Sequence, residues 1–291
     1  MKITDILRSG RPSVSFEVFP PKREAPLEPV KDAVRRLAAE RPAFMSVTYG
    51  AAGGSSSAST GAIAEYVQKE CGVTALAHFT CVNSTREDVA AESDRLVAAG
   101  IENVLALRGD LPQDASAPPP GHFEHAAELV RCLKARHPAL CLGGACYPEG
   151  HPECAHLADD IRHIKEKTDA GLDFLTTQMF FDNNILYSYL AKLRYAGVSV
   201  PVVAGVMPVT NGRQISRICK LSGTLLPPRF RAIVDRFGDD PPSMLEAGVA
   251  HATGQIVDLF ANGIDNVHVY TMNRPEVAAR IMANLRTLLA G

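Results

Sequence analysis

Eight short apolar runs, separated by amphipathic stretches at helical spacing, follow one another along the chain. They lie at 13–19, 44–49, 75–80, 103–107, 140–147, 174–178, 200–206 and 266–270. Several, such as Val104-Leu105-Ala106-Leu107, are continuously apolar, as strands buried on both faces require. Between them, Leu27, Val30, Val34 and Leu37 form one helical stripe, and Val277, Ile281, Leu285 and Leu288 form another behind Pro275. Thr85 with Asp88 reads as a helix start and Gly100 as a stop. Strand–helix alternation without a linker gives a parallel sheet. Eight repeats in 291 residues give that sheet the length to close, so the expected fold is α/β, a single (β/α)8 barrel domain over 1–291. Residues 207–263 exceed one repeat and are broken at Pro227-Pro228 and Pro241-Pro242, an elaborated connection before the last strand. An open doubly wound sheet would carry a Gly-x-Gly-x-x-Gly turn, and Ala51-Ala52-Gly53-Gly54 lacks that spacing.

In such a barrel all strand C-termini open onto one face, where catalytic groups collect. Polar motifs stand at those ends: Phe16-Glu17-Val18-Phe19, Ser46-Val47-Thr48-Tyr49, Ala77-His78-Phe79-Thr80 and Leu107-Arg108-Gly109-Asp110. Further on come Tyr147-Pro148-Glu149-Gly150-His151-Pro152-Glu153, Thr177-Gln178-Met179-Phe180-Phe181-Asp182 and Tyr270-Thr271-Met272-Asn273-Arg274. Residues scattered along the sequence would meet in one pocket, so the chain reads as an enzyme. Two stretches, 51–59 and 112–121, are loop-like in composition and would overhang that mouth.

The balance of charge excludes other classes. A net charge of -2 without a basic stripe argues against nucleic acid. No apolar stretch approaches the ~20 residues that span a bilayer, and residues 1–12 lack a signal core, so a cytoplasmic chain is expected. The seven cysteines include no Cys-x-x-Cys pair, and no His-x-His or His-Glu-x-x-His pattern occurs, so no metal is expected.

Glu17 sits among Phe16, Val18 and Phe19, where an anion is disfavoured; a raised pKa would suit a general acid, and a neighbouring cation would make it merely structural. Gly109 permits a tight bend before Asp110, whose carboxylate can face a developing cation. Gln178 offers donor and acceptor to a heterocycle edge. His78 and His151 read as hydrogen-bonded residues at loop starts, and Tyr49 and Tyr147 as stacking or core rings.

Taken in order from 14 to 274, these motifs resemble the methylenetetrahydrofolate reductase family over essentially the whole chain. The resemblance implies a flavin-containing (β/α)8 barrel that reduces 5,10-methylenetetrahydrofolate to 5-methyltetrahydrofolate, with FAD as cofactor and NAD(P)H as electron donor in a ping-pong cycle. It implies catalytic roles for Glu17 (general acid), Asp110 (electrostatic) and Gln178 (hydrogen bonding), and folate contacts for Gln178, Gln214 and Arg274. FAD contacts would fall to Thr48, Tyr49, Ala51, His78, Arg108, Gly109, Asp110, Ala126, Tyr147, His151, Asp160 and Lys167, with Arg108 and Lys167 at the pyrophosphate.

The family also implies a homo-oligomer and leaves room for an electron-donor protein. The chain departs from it at Gly53-Gly54-Ser55-Ser56-Ser57, His125, His163 and Glu166; the last would repel a pyrophosphate unless turned away or paired with Lys165 or Lys167. Ending soon after the eighth helix, it is expected to escape S-adenosylmethionine inhibition. The rival readings are a flavin-independent relative with direct hydride transfer and a non-catalytic folate-binding or partner barrel.

Overall fold

The computed structural model describes residues 1–21, 25–49, 55–111, 119 and 122–290, with backbone alone for 55–58. Eight parallel strands pair in chain order and the last returns to the first, closing the expected barrel. They are β1 Ser13–Val18, β2 Met45–Val47, β3 Ala75–Thr80, β4 Asn103–Leu107, β5 Cys141–Cys146, β6 Phe174–Thr177, β7 Val202–Val206 and β8 Asn266–Tyr270. Several are trimmed relative to the apolar runs, because Thr48, Tyr147 and Gln178 fall in the turns that open onto the mouth.

The helices are α1 Ile3–Leu7, α2 Glu28–Ala39, α3 Ser55–Lys69, α4 Arg86–Ala98, α5 Ala126–Arg136, α6 Leu157–Asp169, α7 Asn183–Tyr195, α8 Gly212–Ser222, α9 Pro228–Phe237, α10 Pro241–Ala261 and α11 Pro275–Leu289. Thr85 and Asp88 form a reciprocal capping box at α4. Pro228 and Pro241 start α9 and α10, since a first-turn residue has no partner for an N–H in any case. The stripe of α11 buries Val277, Ile281 and Leu285, whereas Leu288 is exposed. The expected loop at 51–59 is helical from Ser55 onward; Ala51 and residues 112–118, 120 and 121 lie outside the described residues.

Alternation along the strands sorts side chains to two sides. Phe16, Met45, Ala77, Val104, Leu142 and Val267 face outward and pack beneath the helices in the main core. Facing inward, Phe44, Leu76, Leu105, Cys141, Phe174 and Val203 form an apolar floor, closed from below by Ile3 and Leu7. A five-residue helix does not hold alone; α1 is pinned by the Ile3 N–H donating to Asn103 Oδ1 (2.8 Å), whose amide donates back to Met1 O (3.1 Å). Above this floor the lining turns polar, with Ser15, Glu17, Ser46, His78, Thr176 and His268 all buried.

The floor tolerates no extra atom at β5. A methyl group on Gly143 would lie 2.4 Å from the Phe174 ring and 2.9 Å from Leu105. Gly143→Ala is expected to destabilise by about 1–3 kcal/mol through overpacking. Urea midpoints at unchanged slope measure this; an unchanged midpoint would show that the floor yields.

Candidate active site

Two adjoining cavities open at the strand C-termini. The deeper, about 570 Å3, rises from Leu76 and Leu105 past Glu17, His78, Thr176 and His268 to Gln178, Tyr270 and, on α8, Leu221. The shallower, about 350 Å3, is lined by Thr48, Tyr49, Thr80, Arg108, Gly109, Ala126 and Lys167 among others. Asp110, His78, Tyr147 and His151 line both. The fold thus brings Glu17, Asp110 and Gln178 into one chamber and gathers most of the expected cofactor residues in its neighbour. Gln214 is exposed on α8 and lines neither cavity. Arg274 also lines neither and is held by Thr210 Oγ1 (2.5 Å) and Glu276 (2.7 Å).

Glu17 is only 8% exposed, and burial, opposed by a hydrogen bond with Ser46, pushes its carboxyl up to about 8. The nearest ring nitrogens are His78 Nε2 at 3.6 Å and His268 Nε2 at 4.0 Å. Burial pushes both imidazoles down to about 3, so neither is the neutralising cation that would make Glu17 an ordinary ion pair.

The His268 ring joins two serines at this level of the wall. Ser15 Oγ lies 3.0 Å from Val267 O and 2.7 Å from His268 Nδ1, and Ser46 Oγ lies 2.9 Å from His268 Nε2. Ser46 also hydrogen-bonds Glu17, a contact that favours the carboxylate and is outweighed by burial. Tyr270 completes the wall, its hydroxyl donating to Thr177 O (2.5 Å) over Gly205, where a Cβ would lie 2.4 Å from Thr177 O and 2.6 Å from the Tyr270 hydroxyl.

In the shallower cavity, Arg108 follows β4, and Gly109 takes a positive φ of 85° that brings its Cα side against Thr80. Arg108 Nε donates to Gly109 O (3.1 Å), while its two terminal nitrogens donate to the two Glu153 oxygens at 2.6 Å each. Lys167 Nζ donates to Ala145 O (2.7 Å), and burial lowers its pKa. Asp160, expected among the cofactor contacts, lines neither cavity; it is 4% exposed, its pKa raised by burial, with Oδ2 unpartnered. His151 Nδ1 accepts from the Glu153 N–H (3.1 Å), leaving Nε2–H as donor, and its ring stands edge-on to Tyr147 at 4.6 Å. Glu166 is turned to His163 (3.2 Å) and lines neither cavity, so it does not oppose an anion there.

The donor set suits a phosphate-bearing ligand: a guanidinium, an ammonium and the N-terminus of α5 at Ala126. All seven cysteines are free, and among the described residues no cluster of His, Cys, Asp and Glu could hold a metal. No helix of the described chain is long and apolar enough to cross a membrane. Sequence reasoning gave no role to Ser15, His268 or Glu153. The signal for the first two was present, as polar residues at every second position of apolar runs.

Comparison with known proteins agrees with this geometry. Residues 2–286 match the family model described as methylenetetrahydrofolate reductase. The chain is 32% identical over 276 residues to 5,10-methylenetetrahydrofolate reductase of Pectobacterium carotovorum, covering 95% of this chain and 91% of that one. It is 33% identical to methylenetetrahydrofolate reductase (NADH) 1 of Zea mays, covering 98% of this chain and 50% of that protein, so it spans about half the length of such plant relatives. Among solved structures, an uncharacterized Clostridium thermocellum protein that binds two copies of 5-methyl-5,6,7,8-tetrahydrofolic acid superposes with a TM-score of 0.66 at 14% identity, both chains covered completely, a likeness of fold. A matching family model over nearly every residue, joined to a bacterial relative aligned almost end to end, makes this chain a member of the methylenetetrahydrofolate reductase family.

Proposed function

We propose that the chain reduces 5,10-methylenetetrahydrofolate to 5-methyltetrahydrofolate, drawing electrons from NADH or NADPH by way of bound FAD in a ping-pong cycle. The observation that carries this reading is Glu17, a carboxyl group raised to about 8 and hydrogen-bonded to Ser46 at the end of a deep cavity. An acid that keeps its proton at neutral pH suits activation of a folate whose five-membered ring opens on protonation. FAD, when bound, would supply the hydride chemistry that no side chain here can.

The remaining roles follow from position. Asp110 lines both cavities, so its carboxylate faces whatever cationic charge develops where cofactor and folate meet. Gln178 Oε1 accepts from the Met179 N–H (2.9 Å), which fixes the amide and leaves its NH2 free to donate to a pterin or nicotinamide edge. Arg108, Lys167 and the α5 N-terminus would hold the FAD phosphates. Thr48, Tyr49, His78, Tyr147 and His151 would enclose the flavin.

The visible spectrum of the purified protein tests the reading. A flavin spectrum that bleaches anaerobically with NADH or NADPH and returns with 5,10-methylenetetrahydrofolate is the expected result. A protein that binds no flavin even with added FAD, yet reduces the folate, would transfer the function to direct hydride transfer from nicotinamide.

A further inference from the structure

The paired face of the guanidinium that should receive a phosphate is already taken. Among the described residues lining the shallower cavity, the cations are Arg108 and Lys167. Lys167 spends one of its three donors on Ala145 O, and Arg108 spends one N–H on Gly109 O and its two terminal nitrogens on the paired oxygens of Glu153. A carboxylate and a phosphate both present two oxygens to that fork, and both are bound bidentately by it. That paired face cannot serve both at once.

The two partners differ in how firmly they are held. The Arg108 side chain is 23% exposed and tied to the Gly109 turn, whereas Glu153 is 59% exposed. Apart from the bond donated by its own backbone to His151, no second group holds the Glu153 carboxylate among the contacts described here. Arg108 lines the shallower cavity and Glu153 the deeper one, so Glu153 reaches across the boundary between them.

We propose that Glu153 is a resident anion, occupying the Arg108 fork until a phosphate-bearing ligand displaces it, and so setting the affinity and selectivity of the cofactor pocket. This rests on the reading of that cavity as the cofactor site. Exchange of one anion for another keeps Arg108 paired in both states, so no buried charge is left bare. It also sets a threshold. A ligand that binds only when the fork is open has its apparent dissociation constant multiplied by the reciprocal of the open fraction. Small anions, with no other contact, do not meet that threshold, whereas a dinucleotide with many further contacts does.

The test titrates full-length protein, freed of nucleotide, with FAD and with riboflavin, which lacks phosphate, following flavin fluorescence. With the fork open about a tenth of the time, Glu153→Gln should bind FAD about tenfold more tightly and riboflavin within twofold of wild type. Millimolar inorganic phosphate should compete with FAD in the variant and not in wild type. Equal FAD affinity in the two proteins overturns the inference, and weaker FAD binding with riboflavin unchanged makes Glu153 a support for Arg108, which also overturns it. Wild-type protein that takes neither ligand overturns the cofactor reading itself and the inference with it.

Discussion

Replacing Glu17 with Gln is expected to slow the folate half of the reaction by about 10²–10⁴-fold, the usual worth of a positioned general acid. Reduction of bound flavin by NADH or NADPH should stay within a few-fold of wild type. The amide has nearly the shape of the acid and can keep a hydrogen bond with Ser46. The one thing removed is a transferable proton. Anaerobic rapid mixing resolves the two half-reactions, and equal damage to both would remove Glu17 from the acid role. In wild type the folate half should fall as pH rises through about 8, where Glu17 loses its proton.

The same substitution should make the protein more stable, by an amount that depends on pH in a defined direction. Glu17 ionises near 4.5 when unfolded and near 8 when folded. Between those values the folded state keeps a proton that the unfolded state has released, so wild-type stability falls as pH rises, by up to about 1.4 kcal/mol per pH unit. Glu17→Gln escapes that decline. Its advantage should widen from about pH 4.5 to about pH 8 and then stay level. His78 and His268 act with the opposite sign: folded values near 3 against 6.5 unfolded mean that stability is lost as pH falls below about 6.5. The variant retains this acid limb. Urea midpoints from pH 5 to 9 measure both, and a difference independent of pH would mean that Glu17 carries no buried proton.

The barrel was legible in the chain because each apolar run is long enough to be a buried strand and each is followed by amphipathic helix, a single one except after β7, where three intervene. Strand-end motifs located the mouth for the same reason: in a parallel barrel, sequence position along a strand is also depth. What escaped was lateral. Ser15 and His268 stand about 250 residues apart in sequence, and only the closure of β8 on β1 brings their side chains to 2.7 Å. Period-two polarity in Ser15/Glu17 and His268/Tyr270 marks inward positions, but no local pattern tells which inward residues share a layer. Likewise Arg108 and Glu153 were both in view as motif members, and their pairing depends on how two loops fold across neighbouring strand ends. Gln214 and Arg274 were assigned through family likeness alone, and the fold leaves both outside the cavity linings.

The short helix beneath the barrel has a consequence for the acid above it. With Ile3 and Leu7 beneath an apolar floor, the chamber that holds Glu17 is closed on that side and opens toward the strand C-termini. A substrate seated at that opening would cover the acid. On this account the proton is loaded before the folate arrives, like a single cartridge, and spent once. Reloading waits for product to leave, which would make release both the exit of one molecule and the admission of the next proton.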